Sequence, residues 1–537
     1  MTEEDCKCSN STIPFQKTGY FSKIINDYLD KKKVIQSFYN NSADLAGFKK
    51  QLEEKKESFK PETRTNLVAA LTNQYQHTTA SVQTTKNIEL LKESNTFTVT
   101  TGHQLNLFTG PLYFLYKIIA TINLSKELKR AFPARNFVPI YWMATEDHDF
   151  EEINYFNFKG KKVRWDRKSS GAVGRLSTAG LDVVLDQFSK ALGSTTHALE
   201  LKEMFKKAYL EHASLAAATR YLANELFSEF GLVIVDGDDA ILKRQFIPFV
   251  EDELVHQTSN KQVAKTIEKL SEHYDIQVNP REINLFYLTD ELRERIVFEN
   301  GIYKVVDTSI SWSKEEILAE ISEFPKRFSP NVIMRPLYQE IILPNLCYIG
   351  GGGELAYWFE LKSYFENVGI PFPILLLRNS AVILSEKQQE KLDKLSISAE
   401  ELFLNQHDLI SKKIKEISEL EIDFSDQRTF LKEQFAKLEL VAEKTDKSFI
   451  GAVKAQTKKQ LNGLDHLEKR LLKAEKRKHQ ELTDRICQLQ DQIFPNQSLE
   501  ERQRNFSEYY LEYGTALIPK IIENLEPLKG EFNIIEL

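Results

Sequence analysis

Cysteine is scarce in this chain: four in 537 residues, at Cys6, Cys8, Cys347 and Cys487. So few in so long a sequence exclude a disulfide framework, and the lone C-x-C pair, without a second pair of ligands, is a weak metal signal. A run of about 18 apolar residues is also missing, which argues against an ordinary membrane-spanning helix. The opening Met-Thr-Glu-Glu-Asp lacks the apolar segment of a signal peptide, so a reducing cytoplasm is the expected compartment. Basic excess is absent as well. The balance of 71 Lys and Arg against 78 Asp and Glu gives a net charge of −7. The basic runs at Lys469-Arg470 and Lys476-Arg477-Lys478 are interspersed with Glu, as on a solvated helix face. Neither nucleic acid nor membrane is an expected partner. No nucleophile elbow, kinase motif set, P-loop or paired C-x-x-C occurs.

What is present suits a large soluble protein, with 42% hydrophobic and 28% charged residues. Single cores seldom grow beyond roughly 250–300 residues, so more than one domain is expected. Residues 1–95 read as a helical lead-in, with Leu67, Leu71 and Tyr75 on one stripe. Strand-like runs then alternate with helical runs: Thr96–Thr101, Phe137–Met143, Leu232–Asp236, Val332–Met334, Leu346–Ile349 and Pro373–Leu377. This is an α/β pattern with a parallel sheet. Stretches near 156–180 and 280–310 interrupt it and read as insertions. The second holds Asn300-Gly301 between two β-rich runs, a hairpin signal. From 381 to 537 the character changes. Glu386 to about Phe494 has no Pro, many Lys, Glu and Gln, and a near-heptad series through Leu467, Leu471, Ala474, Leu482, Ile486, Leu489 and Ile493. Two or more long helices joined near Asp423–Asp426 as an antiparallel coiled coil are expected, with an aromatic and apolar tail packing back on the core.

Polar and ionisable residues collect where strands end, which is where an open α/β sheet builds its site. Gly102-His103-Gln104 follows one strand, and Thr109-Gly110 opens a helix, so backbone amides there could meet an anion. Glu146-Asp147-His148-Asp149 follows six largely apolar residues. Such carboxylates can hold an ammonium group, orient a histidine, act as a base or bind a metal. For zinc, only His103 offers an obvious further ligand. Gly350 to Gly353 with Glu354 forms another junction, where four glycines allow close backbone approach at an entropic cost. Arg335 is a candidate carboxylate or phosphate clamp, and Arg378-Asn379-Ser380 a further polar rim. Cys347, within an apolar strand, reads as a core residue.

These segments resemble the cysteine ligase family of bacillithiol biosynthesis, the enzyme proposed to add cysteine to glucosaminyl-malate. The matching residues are Thr101–Gln104 with Phe108–Tyr113, Trp142 with Glu146–Asn154, Ser329–Asn331 with Arg335-Pro336, Tyr348–Glu354 with Ala356–Trp358, and Leu377–Ser380. The likeness spans essentially the whole chain and departs at His103, where glutamine is more usual in the family, which argues against an acid–base role there. It implies a Rossmann-like core of the nucleotidylyl-transferase type over residues 1–380, with inserted connecting segments. Residues 381–537 would be the dimerising coiled-coil domain with its tail. It further implies nucleotide-dependent amide-bond formation between L-cysteine and glucosaminyl-malate, with ATP or ADP as nucleotide and Mg²⁺ as a candidate companion. Catalytic roles then fall to Asp147, His148 and Asp149, and nucleotide binding to Gly102, His103, Gln104, Thr109, Gly110, Arg378, Asn379 and Ser380. Substrate binding falls to Glu146, Arg335, Gln339, Gly351, Gly352, Gly353, Glu354 and Tyr357, with no resident metal. Two rivals share this architecture: a nucleotidylyl transferase or amide ligase for another small thiol or amino sugar, and a nucleotide-binding scaffold.

Overall fold

The structure, a computed structural model, describes residues 11–445 and 447–537; the Cys6–Cys8 pair lies outside them. Five parallel strands form the central sheet: β1 (Thr96–His103), β2 (Asn136–Met143), β3 (Val233–Asp236), β4 (Asn345–Gly350) and β5 (Ile374–Leu377). Their spatial order is β3-β2-β1-β4-β5. The strand residues Thr96–Thr101, Phe137–Met143, Leu346–Gly350 and Ile374–Leu377 are all buried, as expected of strands covered by helices on both faces. Helix α1 (Tyr113–Ala131) crosses from β1 to β2 and packs Ala120, Leu124 and Leu128 against Phe97, Val99, Leu346, Ile349 and Ile374. Cys347 belongs to this cluster, and burial pushes its thiol well above the usual range. The order reverses between β1 and β4, so the carboxyl ends of those strands, Gly102-His103 and Gly350, flank the crevice where a doubly wound sheet holds ligands.

Two insertions interrupt the alternation. The first carries the hairpin Tyr155–Phe158 with Lys161–Arg164. The second is larger than the sequence suggests: a five-stranded antiparallel sheet from Leu285 to Pro330, including the pairing of Arg293–Glu299 with Ile302–Val305 across Asn300-Gly301. Val332–Met334 is not a strand. Asn331 accepts hydrogen bonds from the backbone N–H of Ile333 and Met334 at 2.9 and 3.3 Å, and helix α2 (Met334–Ile342) starts there with Pro336 in its first turn. Arg335 therefore sits on a helix start rather than at a strand end.

The described residues divide into two compact units, one of residues 11–383 with 499–535, the other of residues 384–498. In the first, Ser11–Pro14 pairs with the C-terminal strand Glu531–Glu536, which neighbours Ala381–Leu384. The second holds α4 (Gln406–Ile417), α5 (Ser425–Ala442), α6 (Lys447–Lys478) and α7 (Gln480–Ile493), with α3 (Gly352–Glu360) belonging to the first. The antiparallel reversal falls between Ala442 and Lys447, not near Asp423–Asp426. At the latter place Asp423 accepts from the Ser425 backbone and hydroxyl, which restarts a helix instead of turning the chain back. Both α4 and α5 face α6: Lys476 donates to Ser411, Ser418 to Glu475, and Arg428 pairs with Asp465 and Glu468.

A buried polar chain ties the lead-in to the sheet. Glu340, fully buried, pairs with the equally buried Lys55 at 3.1 Å and accepts from Asn345 at 2.6 Å and Gln339 at 3.0 Å. Asn345 in turn accepts from the hydroxyls of Thr98 and Thr100. Removing one partner of such a pair strands a charge in the interior. Glu340→Ala should therefore lose about 3–5 kcal/mol in urea unfolding, and Glu340→Gln, which keeps one acceptor oxygen for Gln339 and Asn345, should lose less. A loss below about 1 kcal/mol for the alanine variant would contradict this account.

Candidate active site

Glu146, Asp147, His148 and Arg335 line one cavity of about 470 Å³ at the end of β2, joined there by Arg281, Arg293 and Asn331. Arg335 is held by its own helix: its Nη1 donates to Gln339 Oε1 at 3.0 Å, Gln339 donates onward to Glu340, and Tyr357 hydrogen-bonds the same guanidinium. Its other terminal nitrogen, Nη2, is buried without a partner. A buried guanidinium N–H rarely stays unsatisfied, so this atom is a ready donor for an anionic ligand. Gln339, fully buried, thus orients Arg335 from behind.

The acidic residues divide by environment. Burial alone would raise the Asp147 carboxyl. The nearby His148 ring, hydrogen bonds from Gln104 and the His148 backbone N–H, and Arg293 hold it well below the usual carboxylate range instead. Burial pushes Glu146 the other way, partly offset by its ion pair with buried Lys243. Asp149 is exposed and lines none of the cavities described here. A strongly ionised Asp147 is suited to holding an ammonium group, and ill suited to taking a proton from it.

Two further cavities adjoin. Gln104 and Gly110, with Tyr113, Arg502 and Arg504, line one of about 310 Å³ at the start of α1. Gly351, Gly352 and Gly353, with Arg378, Ser380 and again Arg502, line one of about 170 Å³ at the start of α3. Gln104 links the first to the acidic cluster by donating to Asp147 at 3.0 Å and Glu152 at 2.8 Å. The remaining expected site residues face inward. His103 packs against Tyr113 and Phe114, and burial drives its pKa well down. Thr109 is buried in a left-handed stretch with Phe108 and Gly110, and caps no helix. At Gly110, whose φ is +64°, a Cβ would lie 2.6 Å from Asn106 Cβ, so glycine is required there. Glu354 pairs with buried Lys117, which also donates to the Gly102 carbonyl at 2.8 Å, and accepts from Tyr348 at 3.0 Å. Arg378 is fully buried. It donates to Glu501 at 2.5 Å and to Ser380 and Asn379 O at 2.9 Å, while Asn379 donates to Glu526 O at 3.1 Å. The expected polar rim at 378–380 is thus a latch onto the tail, with only its edge reaching a cavity.

A larger cavity of about 700 Å³ lies beyond Thr145, lined by Asp236, Asp238, Arg175 and Lys326 among others. Arg175 and Lys326 are already paired with Asp238, which leaves them little capacity for a ligand. Among the described residues, no group of three or more His, Cys, Asp or Glu is arranged to hold a metal, and no helix is long and apolar enough to cross a membrane.

Lys117, Arg281, Arg293, Arg502 and Glu360 escape sequence reasoning. Lys117 alone gives a local signal, as a cation inside the apolar run Phe114–Ile119. Glu360 accepts from the backbone N–H of Gln277 at 2.7 Å and of Val278 at 3.3 Å, residues that wall two of the cavities.

Residues 9–379 match the family model for the bacillithiol biosynthesis BshC N-terminal Rossmann-like domain, and residues 381–537 match that for the BshC C-terminal coiled-coil domain. A protein of Christiangramia forsetii named "Putative cysteine ligase BshC" is 58% identical over 528 residues, covering 97% of this chain and 98% of its own. One of Flavobacterium psychrophilum with the same name is 59% identical over 525 residues, covering 98% and 99%. A Bacillus cereus protein so named is 27% identical over 532 residues, covering 96% and 98%.

Burial pushes the Glu360 carboxyl up to about 7 despite its two backbone donors. A raised folded-state pKa means the folded chain binds this proton more tightly than the unfolded chain does. Stability from this source is full below a pH of about 4.5 and is lost as pH rises to about 7. Glu360→Gln should flatten that part of the stability–pH curve by up to about 3 kcal/mol, read from urea titrations at the two ends of the window. An unaltered curve would refute the assignment.

Proposed function

The chain belongs to the BshC family of bacillithiol biosynthesis, and from that premise we propose that it joins L-cysteine to glucosaminyl-malate through an amide bond, with the cysteine carboxylate activated by a nucleotide. The observation that carries this reading is the pairing, in one cavity, of an unpartnered buried guanidinium nitrogen on Arg335 with the strongly ionised Asp147. Glucosaminyl-malate offers the complement of both: malate carboxylates for Arg335 and an amine for Asp147.

In this reading Asp147 holds the amine near the activated carbonyl carbon while Gln104 and His148 fix the carboxylate. The new C–N bond forms as the bond from carbonyl carbon to the phosphorylated oxygen breaks. The ammonium gives one proton to solvent to free its lone pair, and a second leaves to solvent as the C–N bond forms, since Asp147 is too weak a base to keep either. Activation supplies the leaving group, AMP from an acyl-adenylate or phosphate from an acyl-phosphate. The chain's own contribution is position and charge complementarity. For the nucleotide phosphates, the cavity at the start of α1 is favoured by Arg502 and Arg504 beside Gly110 and Gln104, and Mg²⁺ would arrive with the phosphates. The Gly351–Gly353 cavity, with its edge of Arg378 and Ser380, is the second candidate.

We further propose that the chain is a homodimer through its helical unit. Phe430, Leu438, Leu440 and Val441 on α5, and Phe449 and Leu467 on α6, are all exposed on the single chain, and exposed large apolar side chains in such number suit a covering partner. Light scattering should give twice the chain mass for the wild type and the single-chain mass for Leu438→Glu/Leu440→Glu. A monomeric wild type would end this proposal.

Purified protein incubated with L-cysteine, glucosaminyl-malate, ATP and Mg²⁺ should yield the thiol product by mass spectrometry. AMP alongside it identifies an acyl-adenylate, ADP an acyl-phosphate. Asp147→Asn and Arg335→Met should each lower kcat/KM by about 10²-fold or more, Arg335→Met chiefly through KM for glucosaminyl-malate. Absence of product with every nucleotide would favour the scaffold reading, and turnover of another amino sugar would redirect the substrate assignment.

A further inference from the structure

Arg293 brings the inserted sheet to the cavity of Asp147 and Arg335. It opens the strand Arg293–Glu299, is 8% exposed, and lies with its guanidinium carbon 4.0 Å from the centre of the Phe286 ring. Every nitrogen of the group is engaged. Nε donates to Ser329 Oγ at 3.3 Å, Nη2 to Pro330 O at 3.4 Å, and Nη1 lies 2.8 Å from His148 Nδ1. Stacked on one face and tethered at three corners, the guanidinium has little freedom to turn away.

The chemistry of the third contact is one-sided. A guanidinium carries only donors and stays protonated, so His148 Nδ1 must present its lone pair. The ring proton then belongs on Nε2. The competing arrangement, with Nδ1–H directed at Asp147, has poor geometry: Asp147 Oδ1 is 3.6 Å from Nδ1, beyond hydrogen-bond length, and is taken at 2.8 Å by the His148 backbone N–H. The other ionised groups around this cavity, Glu146, Arg281 and Arg335, make no contact with Nδ1.

We propose that Arg293 is a positioning residue that fixes the tautomer of His148, making its Nε2–H a hydrogen-bond donor to a substrate oxygen in the cavity. His148 then does not serve as a base for the amine. It offers an N–H to an oxygen that gains negative charge, the role a neutral imidazole fills when its second nitrogen is held from behind. The functional half rests on the ligase reading above, while the tautomer does not.

The test uses full-length protein labelled with ¹⁵N-histidine, with His148→Gln to assign the resonances. Two-bond proton–nitrogen correlations without substrate should show the His148 proton on Nε2. Arg293→Met should move a measurable share of it to Nδ1, and Arg293→Lys, still a donor, should largely restore it. In the ligase assay Arg293→Met should lower kcat by about 10²-fold, within the range of a positioned proton-donating side chain, with KM for L-cysteine little changed and partial rescue by Arg293→Lys. A wild-type proton on Nδ1, or a tautomer indifferent to Arg293→Met, overturns the proposal. A wild type that makes no product overturns the ligase reading instead, and leaves the tautomer result to stand on its own.

Discussion

Glu340 has to be satisfied where no water reaches it, and much of the core is arranged around that constraint. Its partners come from three separate parts of the chain: Lys55 from the lead-in, Asn345 at the start of β4, and Gln339 beside it on α2. Through Asn345 it touches β1, and through Gln339 it reaches Arg335. Isolated buried ion pairs are a poor source of net stability, because desolvation consumes most of the Coulombic gain. A fully hydrogen-bonded one is better understood as a specificity device that fixes which elements meet. Here the same atoms that register β4 against β1 also aim a cation into the cavity, so the fold and the site share one set of bonds.

The surroundings of that cavity show how one protein gives neighbouring carboxylates different characters. Glu146 and Asp147 are adjacent in sequence and lie in the same cavity. Glu146 has one strong partner in a dry environment and is pushed towards the protonated form, whereas Asp147 collects several donors and is held ionised. Glu146 is the more deeply buried and has Asp238 nearby as a like charge, while Asp147 has more donors, and together these separate them. Gln104 is central to this, since its amide binds Asp147 from the end of β1 and fixes the carboxylate without adding charge.

Much of the sheet was legible in the sequence because β-branched and aromatic runs end abruptly in polar residues, as at Met143 to Glu146 and at Ile349 to Gly353. The strand expected at Val332–Met334 failed for a local reason: Asn331 caps two amides, a contribution that apolar content does not reveal. The reversal between Ala442 and Lys447 was invisible because no Gly or Pro marks it, and the residues on both sides favour helix. In the site, Glu146, Asp147, His148 and Arg335 could be named because each sits in a conspicuous stretch. Their supports could not: Arg293 is 145 residues from His148 and Glu501 is 123 from Arg378, and no periodicity encodes such distances. The inward turn of His103, Thr109 and Asn379 was equally hidden, since a polar residue at a strand end looks the same whether it faces a ligand or a neighbouring backbone.

Residues 499–535 belong to the same compact unit as residues 11–383, so the helical unit is an excursion between two stretches of one core. This sets an order of events on the ribosome. When β5 emerges, Glu501 as the counter-charge of Arg378, the Asn505 amide that holds the Phe108 and Gly110 carbonyls, and the closing strand Glu531–Glu536 are still unmade. The core can be completed only after the whole excursion has been synthesised. A chain that ended within the helices would leave Arg378 with its bonds to Ser380 and the Asn379 carbonyl but without its counter-charge, the condition under which a cation is costly to bury.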